Sequence, residues 1–252
     1  MALGRDIKNF VSRKLRRNGN WFREQEELRT RFYAGFLSEN DIAFDVGANM
    51  GNRTVVFSRL SRTVIAVEPQ DHCLGVLRKQ FANNPRVKLI AKAVGPKEGQ
   101  AEMLLCDVNC MSSLSPTWIS TVRRSGRFAD LRWERKRTVD VTTLDKLIME
   151  FGMPAFIKID VEGYEYEVLR GLSRPVKALS FEFIPEYLQC CYQCVDYLSS
   201  LGTARFNYSM GESMQLAMPA WVEAAEIKHR LSRFTYDPAV WGDIYACFEN
   251  AN

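Results

Sequence analysis

Five carboxylates sit at or just before the points where short apolar runs give way to turns. They are Asp45 in Asp45-Val46-Gly47-Ala48-Asn49-Met50-Gly51, Glu68 in Val67-Glu68-Pro69, Asp160 and Glu162 in Asp160-Val161-Glu162-Gly163, and Glu182 in Ser180-Phe181-Glu182. Glycines at 47 and 51 allow a close backbone approach to a ligand. Their spacing is not G-x-G-x-x-G, and an acid just ahead of them would repel the pyrophosphate that such a helix start receives. Asp45 suits a cationic or zwitterionic ligand instead. Glu68 follows Gly47 by 21 residues, near the spacing at which an acid meets ribose hydroxyls. Asp160, Glu162 and Glu182 are candidates for general-base work on a poorly nucleophilic hydroxyl. Crowded carboxylates repel, which lifts at least one pKa into a useful range. The same three could alternatively hold a divalent cation, and Glu162 could instead bond backbone and shape the turn before Gly163. No residue is assigned as a metal ligand at this stage.

These residues need elements to bring them together. Apolar runs at Ile42–Val46, Thr63–Val67, Val87–Val94, Ala101–Cys106, Phe156–Val161, Ala178–Ile184 and Ile244–Phe248 predict strands, with shorter extended pieces at Arg137–Val141 and Arg205–Tyr208. Helical spacing predicts helices over residues 24–38, Thr54–Leu60, 71–82, Thr143–Phe151, Glu165–Arg170, Glu186–Leu201 and Trp221–Phe234. Strands alternating with helices at this interval predict βαβ units and a mostly parallel sheet. In such a sheet ligands bind beyond the carboxyl ends of the strands, where the five acids fall. Residues 107–137 show no clear period and are expected to form a loop or acceptor lid. The expected division is a basic helical extension over residues 1–38 and one domain over residues 39–252.

The remaining reactive side chains point elsewhere. His72 and His229 read as surface or structural. Cys190, Cys191 and Cys194 lack a second ligand pair at zinc spacing, and Leu188, Cys191, Val195 and Leu198 form an apolar helical stripe, so these thiols read as buried and free. Trp118, Trp133, Trp221 and Trp241 could stack on an acceptor, although core packing is the commoner fate of each. At 46% hydrophobic and 25% charged residues the chain has globular composition. Seven scattered cysteines, the lack of a long apolar run and the lack of a secretory pattern together predict a cytoplasmic protein. The net charge of +4 is uneven: residues 1–23 carry +6 and residues 123–137 carry +5, leaving −7 on the rest. A basic amphipathic helix over Asp6–Arg17 could rest on an anionic membrane surface through residues 1–20, and the basic segments could attract phosphate or nucleic acid.

Taken in order, Phe44-Asp45-Val46-Gly47-Ala48-Asn49-Met50-Gly51, Val67-Glu68-Pro69, Thr142-Thr143-Leu144-Asp145, Lys158-Ile159-Asp160-Val161-Glu162-Gly163-Tyr164-Glu165 and Ser180-Phe181-Glu182 resemble the FkbM-type methyltransferases. The resemblance covers about residues 40–185. It implies the class I methyltransferase fold, a Rossmann-like three-layer sandwich around a mostly parallel seven-stranded sheet with a reversed last strand. It implies S-adenosylmethionine as methyl donor, S-adenosylhomocysteine as product, and O-methylation of a sugar, glycan or secondary metabolite. It places the donor at Asp45, Gly47, Asn49, Gly51, Thr54 and Glu68, with Ser112 and Ser113 on the adenine side, and leaves Asp160, Glu162 and Glu182 as catalytic candidates. The basic segments lie outside the resemblance, so RNA or a phosphorylated sugar is an alternative acceptor, and a non-catalytic binding or scaffold protein on the same fold is the alternative of a different class.

Overall fold

The computed structural model describes residues 19–237 and 239–249. The basic helix expected over Asp6–Arg17 lies outside the described residues. Among the described residues, ten strands form two sheets. The main sheet contains β1 (Ile42–Val46), β2 (Thr63–Val67), β3 (Val87–Ile90), β7 (Phe156–Ile159), β8 (Ala178–Phe183), β9 (Ala204–Met210) and β10 (Gly242–Phe248). Its order is β3-β2-β1-β7-β8-β10-β9. All its pairings are parallel except those of β10, which runs antiparallel to both β8 and β9. The expected α/β fold with a reversed final strand is therefore present.

Strand alternation explains the layers. Phe44, Val46, Ile65, Ile157, Leu179, Phe181 and Ile244 face one side and form the larger core. It is closed by α5 (Leu144–Phe151), α6 (Glu165–Leu169), α7 (Leu188–Leu201) and α8 (Ala224–Leu231). Ala43, Phe156, Ala178 and Tyr245 face the other side, packing on Tyr33 of α1 (Gly19–Tyr33) and on Val56 and Phe57 of α2 (Asn52–Leu60). Next to them α3 (Asp71–Gln80) sets Leu77 against Ala48 and Ala66. The second face also carries Asp45, Lys158, Ser180, Glu182 and Asp243, because register pairs Asp45 with Lys158, Lys158 with Ser180, and Glu182 with Asp243.

Two expectations need correction. The run Val87–Val94 is not one strand. After β3 the chain leaves the main sheet, and β4 (Ala93–Val94) pairs with β6 (Arg135–Thr142), which also pairs antiparallel with β5 (Gly99–Leu105) in a separate three-stranded sheet. Nor are residues 107–137 a structureless loop: they contain α4 (Pro116–Ser125). Ser115 caps it by accepting the Trp118 N–H, Pro116 opens it, and Gly126 closes it in left-handed conformation. Its buried face, Trp118, Ile119 and Val122, packs on Ile184 beyond β8. Arg127, just past α4, is buried with Glu186 in an ion pair, and its Nη2 donates to the Asp237 and Val240 carbonyls at 3.0 and 2.8 Å. The excursion is a docked wall of the domain.

Candidate active site

The turns after β1, β2 and β7 line an open cleft of about 970 Å³, the solvent at its mouth included. Gly47 joins two of them. Its φ is +83°, and a Cβ there would lie 1.9 Å from the Asp160 carbonyl oxygen, so only glycine lets these turns meet. Backbone bonds fix the contact: Asp160 N–H donates to the Val46 carbonyl at 2.9 Å, and Gly47 N–H to the Val67 carbonyl at 2.9 Å. Gly51 lies behind the cleft wall, immediately ahead of α2, against Leu77 and Phe81.

On the β1–β2 side, Asp45 is buried and accepts a 2.5 Å bond from Thr54 Oγ1. Burial lifts its carboxyl to about 6, against the opposing pull of the Thr54 hydroxyl and of the Arg53 and Lys158 charges. Thr54 thus acts through Asp45. Glu68 accepts the Asn49 N–H at 2.9 Å and the Gln70 N–H at 2.8 Å, one on each oxygen. Burial raises its pKa, and those two amides restrain the rise. Glu68 therefore clips the two turns together while lining the cleft. Across from it, the Ser112 hydroxyl accepts the Cys106 N–H at 3.1 Å at the cleft wall. Ser113 is fully buried, and its hydroxyl donates to the Glu162 carbonyl at 2.6 Å.

On the β7–β8 side, Asp160, Glu162 and Glu182 converge, with one oxygen of each within 4.8 Å of the others. Burial and mutual repulsion push Glu162 and Glu182 well above the usual carboxylate range. Glu162 has φ 54° and lines the cleft. The backbone-shaping role considered for it belongs to Glu165, whose Oε1 accepts the Gly163 and Val161 N–H groups at 3.0 and 3.3 Å. Burial lifts Glu165 to about 7. Behind Asp160, the buried Lys158 ammonium reaches Asp243 at 3.0 Å and Asp160 at 3.3 Å. Burial works to lower its pKa, and the Asp160 and Asp243 carboxylates overcome that and hold it above its ordinary value.

Sequence reasoning leaves Lys158 without a role, although its place two residues before Asp160 puts it on the same strand face, and it misses three further groups. Asp243 comes from β10 and had no local signal. Arg53 and Glu212 line the cleft and pair at 3.0 Å, and Arg29 of α1 also reaches Glu212, at 3.1 Å. His72 and His229 are exposed, and neither lines this cleft. Cys190, Cys191 and Cys194 are buried, free and inside the larger core. Trp118 is core, while Trp133, Trp221 and Trp241 pack partly buried against neighbouring clusters.

The chain is similar to the hexuronic acid methyltransferase AglP of Haloferax volcanii, with 25% identity over 148 residues, covering 58% of this chain and 56% of that relative. This chain thus matches little more than half the length of that relative. In three dimensions it is similar to the crystal structure of the FkbM methyltransferase from Methylobacillus flagellatus KT, with a TM-score of 0.51 and 17% identity, over 87% of this chain and 47% of that one. That likeness shows the shared fold. The family model described as the methyltransferase FkbM domain matches residues 45–202, from the buried acid of β1 past the carboxylates of β7 and β8, and since this is more than half of the chain, the chain belongs to the FkbM methyltransferase family.

Proposed function

We propose that this chain is an S-adenosylmethionine-dependent methyltransferase acting on a hydroxyl oxygen of a sugar or sugar-acid acceptor. The observation that carries the reading is a single cleft with two chemistries: Asp45, Asn49 and Glu68 on one wall and Asp160 and Glu162 on the other, with Glu182 in the adjoining pocket bringing an oxygen within 4.8 Å of theirs. The donor set fits the methyl donor. Asp45 offers a buried carboxylate to a cation, Glu68 offers acceptors to ribose hydroxyls, and Gly47 leaves space at the wall. Ser112 is assigned to the adenine side, and Gly51, Thr54 and Ser113 support the walls from behind. When bound, S-adenosylmethionine supplies a methyl group already activated on a sulfonium, so the protein's task is mainly positioning.

The chain's own work is at the acceptor. A hydroxyl placed among Asp160, Glu162 and Glu182 gives its proton to a carboxylate oxygen of that group, a transfer worth roughly 10²–10⁴-fold in rate. Lys158 holds Asp160 in place. The name of the H. volcanii relative supports a sugar-acid acceptor.

The test is methyl transfer to a panel of uronic acids and neutral hexosides, read as a methyl-group gain in mass. Product from wild type, with turnover lost and donor binding kept in Asp160→Asn and Glu182→Gln, is the expected result. Turnover unchanged in both variants would remove these carboxylates from the reaction.

A further inference from the structure

We propose that Asp160, Glu162 and Glu182 form a binding site for a hard divalent cation of the Mg²⁺ or Mn²⁺ class, positioned to ligate the acceptor. Two separate observations meet here. The first is spacing: one oxygen from each residue lies within 4.8 Å of the other two. Oxygens on opposite sides of a Mg²⁺-type ion, bound at about 2.0–2.1 Å, lie roughly 4.2 Å apart, so small side-chain movements bring all three carboxylates onto one ion. The second is Glu162 itself. It is 8% exposed and lines the cleft. Its carbonyl is held by Ser113, but its carboxylate receives no hydrogen bond among the described residues. The residue is thus nine-tenths buried while its carboxylate oxygens face the open cleft rather than a protein donor, where a cation would match them. Glu165, three residues on, shows the matched case with two backbone amides.

The ion pair made here by the described residues is that of Lys158 with Asp160, and Lys158 is shared with Asp243. One ammonium, shared with Asp243, cannot neutralise the three carboxylates when all are ionised. The all-oxygen donor set selects a hard cation over zinc or copper. Three protein oxygens leave about three of six positions open on a Mg²⁺-type ion. Two of these suit adjacent oxygens of one ligand, so the acceptor class is a vicinal diol or a hydroxy acid, and this part rests on the methyltransferase reading. A hydroxyl on the cation has a lowered pKa. Its proton passes to a carboxylate oxygen of the cluster, the new C–O bond forms, and the electron pair of the broken C–S bond stays on sulfur.

The experiment is Mn²⁺ titration of the full, chelator-stripped chain by electron paramagnetic resonance, with no methyl donor present. One Mn²⁺ per chain, displaced by Mg²⁺, and weakened about tenfold or more in Glu162→Gln and in Glu182→Gln, is the expected result. Glu134→Gln, an exposed acid outside the cluster, leaves the affinity unchanged. Removing a repelling charge should not unfold either cluster variant, and thermal midpoints are measured alongside to verify this. A free-ion Mn²⁺ signal that the chain leaves undiminished at millimolar ion, or affinity equal to wild type in both cluster variants, overturns the site. Mn²⁺ binding without donor binding would leave the cation site standing and sink the methyltransferase reading; donor binding without Mn²⁺ would do the reverse.

Discussion

Burial of Asp45 gives the proposed donor site its own pH range. With its carboxyl lifted to about 6, Asp45 is ionised above that value and protonated below it. Affinity for S-adenosylhomocysteine should hold steady above pH 7 and fall by about tenfold per unit below pH 6. Asp45→Asn keeps a partner for Thr54 and removes the charge, so donor affinity should drop by about 10–100-fold, the scale of one charge-assisted hydrogen bond. Glu165 carries a different signature. Its folded pKa of about 7 stands above the ordinary value of 4.5, so the folded state binds the extra proton between those values. Stability from this group is greatest below pH 4.5 and is lost as pH rises through 7. Glu165→Gln removes that penalty and should gain on wild type by about 2 kcal/mol between pH 5 and pH 8, read by chemical denaturation at each pH. A constant difference would show that Glu165 does not titrate in the folded protein. Residue types and order revealed the acids but not their division of labour. Glu162 and Glu165 are three apart in one turn, and only the path of the backbone decides that Glu165 collects the amides while Glu162 faces the cleft.

The wall formed by α4 depends on one close approach. A Cβ at Gly163 would lie 2.2 Å from Trp118 Cγ, and Gly163 has φ +86°. Gly163→Ala should therefore cost about 2–4 kcal/mol through strain and repacking, with Trp118→Leu recovering part of the loss in the double variant. Additive losses in denaturation would show that the two residues do not couple. This wall was hard to read in advance. Its start and stop signals are present as Ser115-Pro116 and Gly126, but ten residues of helix hold too few turns for a period to stand out. The division of Val87–Val94 was hidden for another reason. Apolar residues predict a strand, while the choice of partner is made by β6, more than forty residues downstream. By contrast, β1 and β7 are fully buried in the parallel sheet and β2 and β8 nearly so, and their mostly apolar runs were legible directly.

Across the described residues, part of the positive charge of residues 123–137 is matched by carboxylates. Of the basic residues in 123–137, Arg127 is paired with Glu186, Arg132 with Glu134, Lys136 with Glu102 and Arg137 with Asp71. Turnover with a sugar-acid acceptor should change by less than about threefold between roughly 50 and 200 mM salt, whereas several phosphate contacts would cost about 10³–10⁵ in affinity over that range. None of the helices in the described residues is long and apolar enough to cross a membrane. Membrane contact through residues 1–20 stays a proposal, which deletion of that segment and vesicle sedimentation would test. The mostly parallel sheet was foreseeable from the alternation of strands and helices, and the reversed last strand only from the family resemblance. The contribution of α1 was not, since Arg29 reaches the cleft only through Glu212, far away in sequence.

The most direct measurement is calorimetric titration of S-adenosylhomocysteine, in parallel with NAD, into wild type and Asp45→Asn. A donor cleft built on Asp45 requires one S-adenosylhomocysteine per chain, no response to NAD, and binding weakened by about 10–100-fold in the variant. Binding of NAD, or S-adenosylhomocysteine binding that Asp45→Asn leaves unchanged, would contradict the assignment of this cleft.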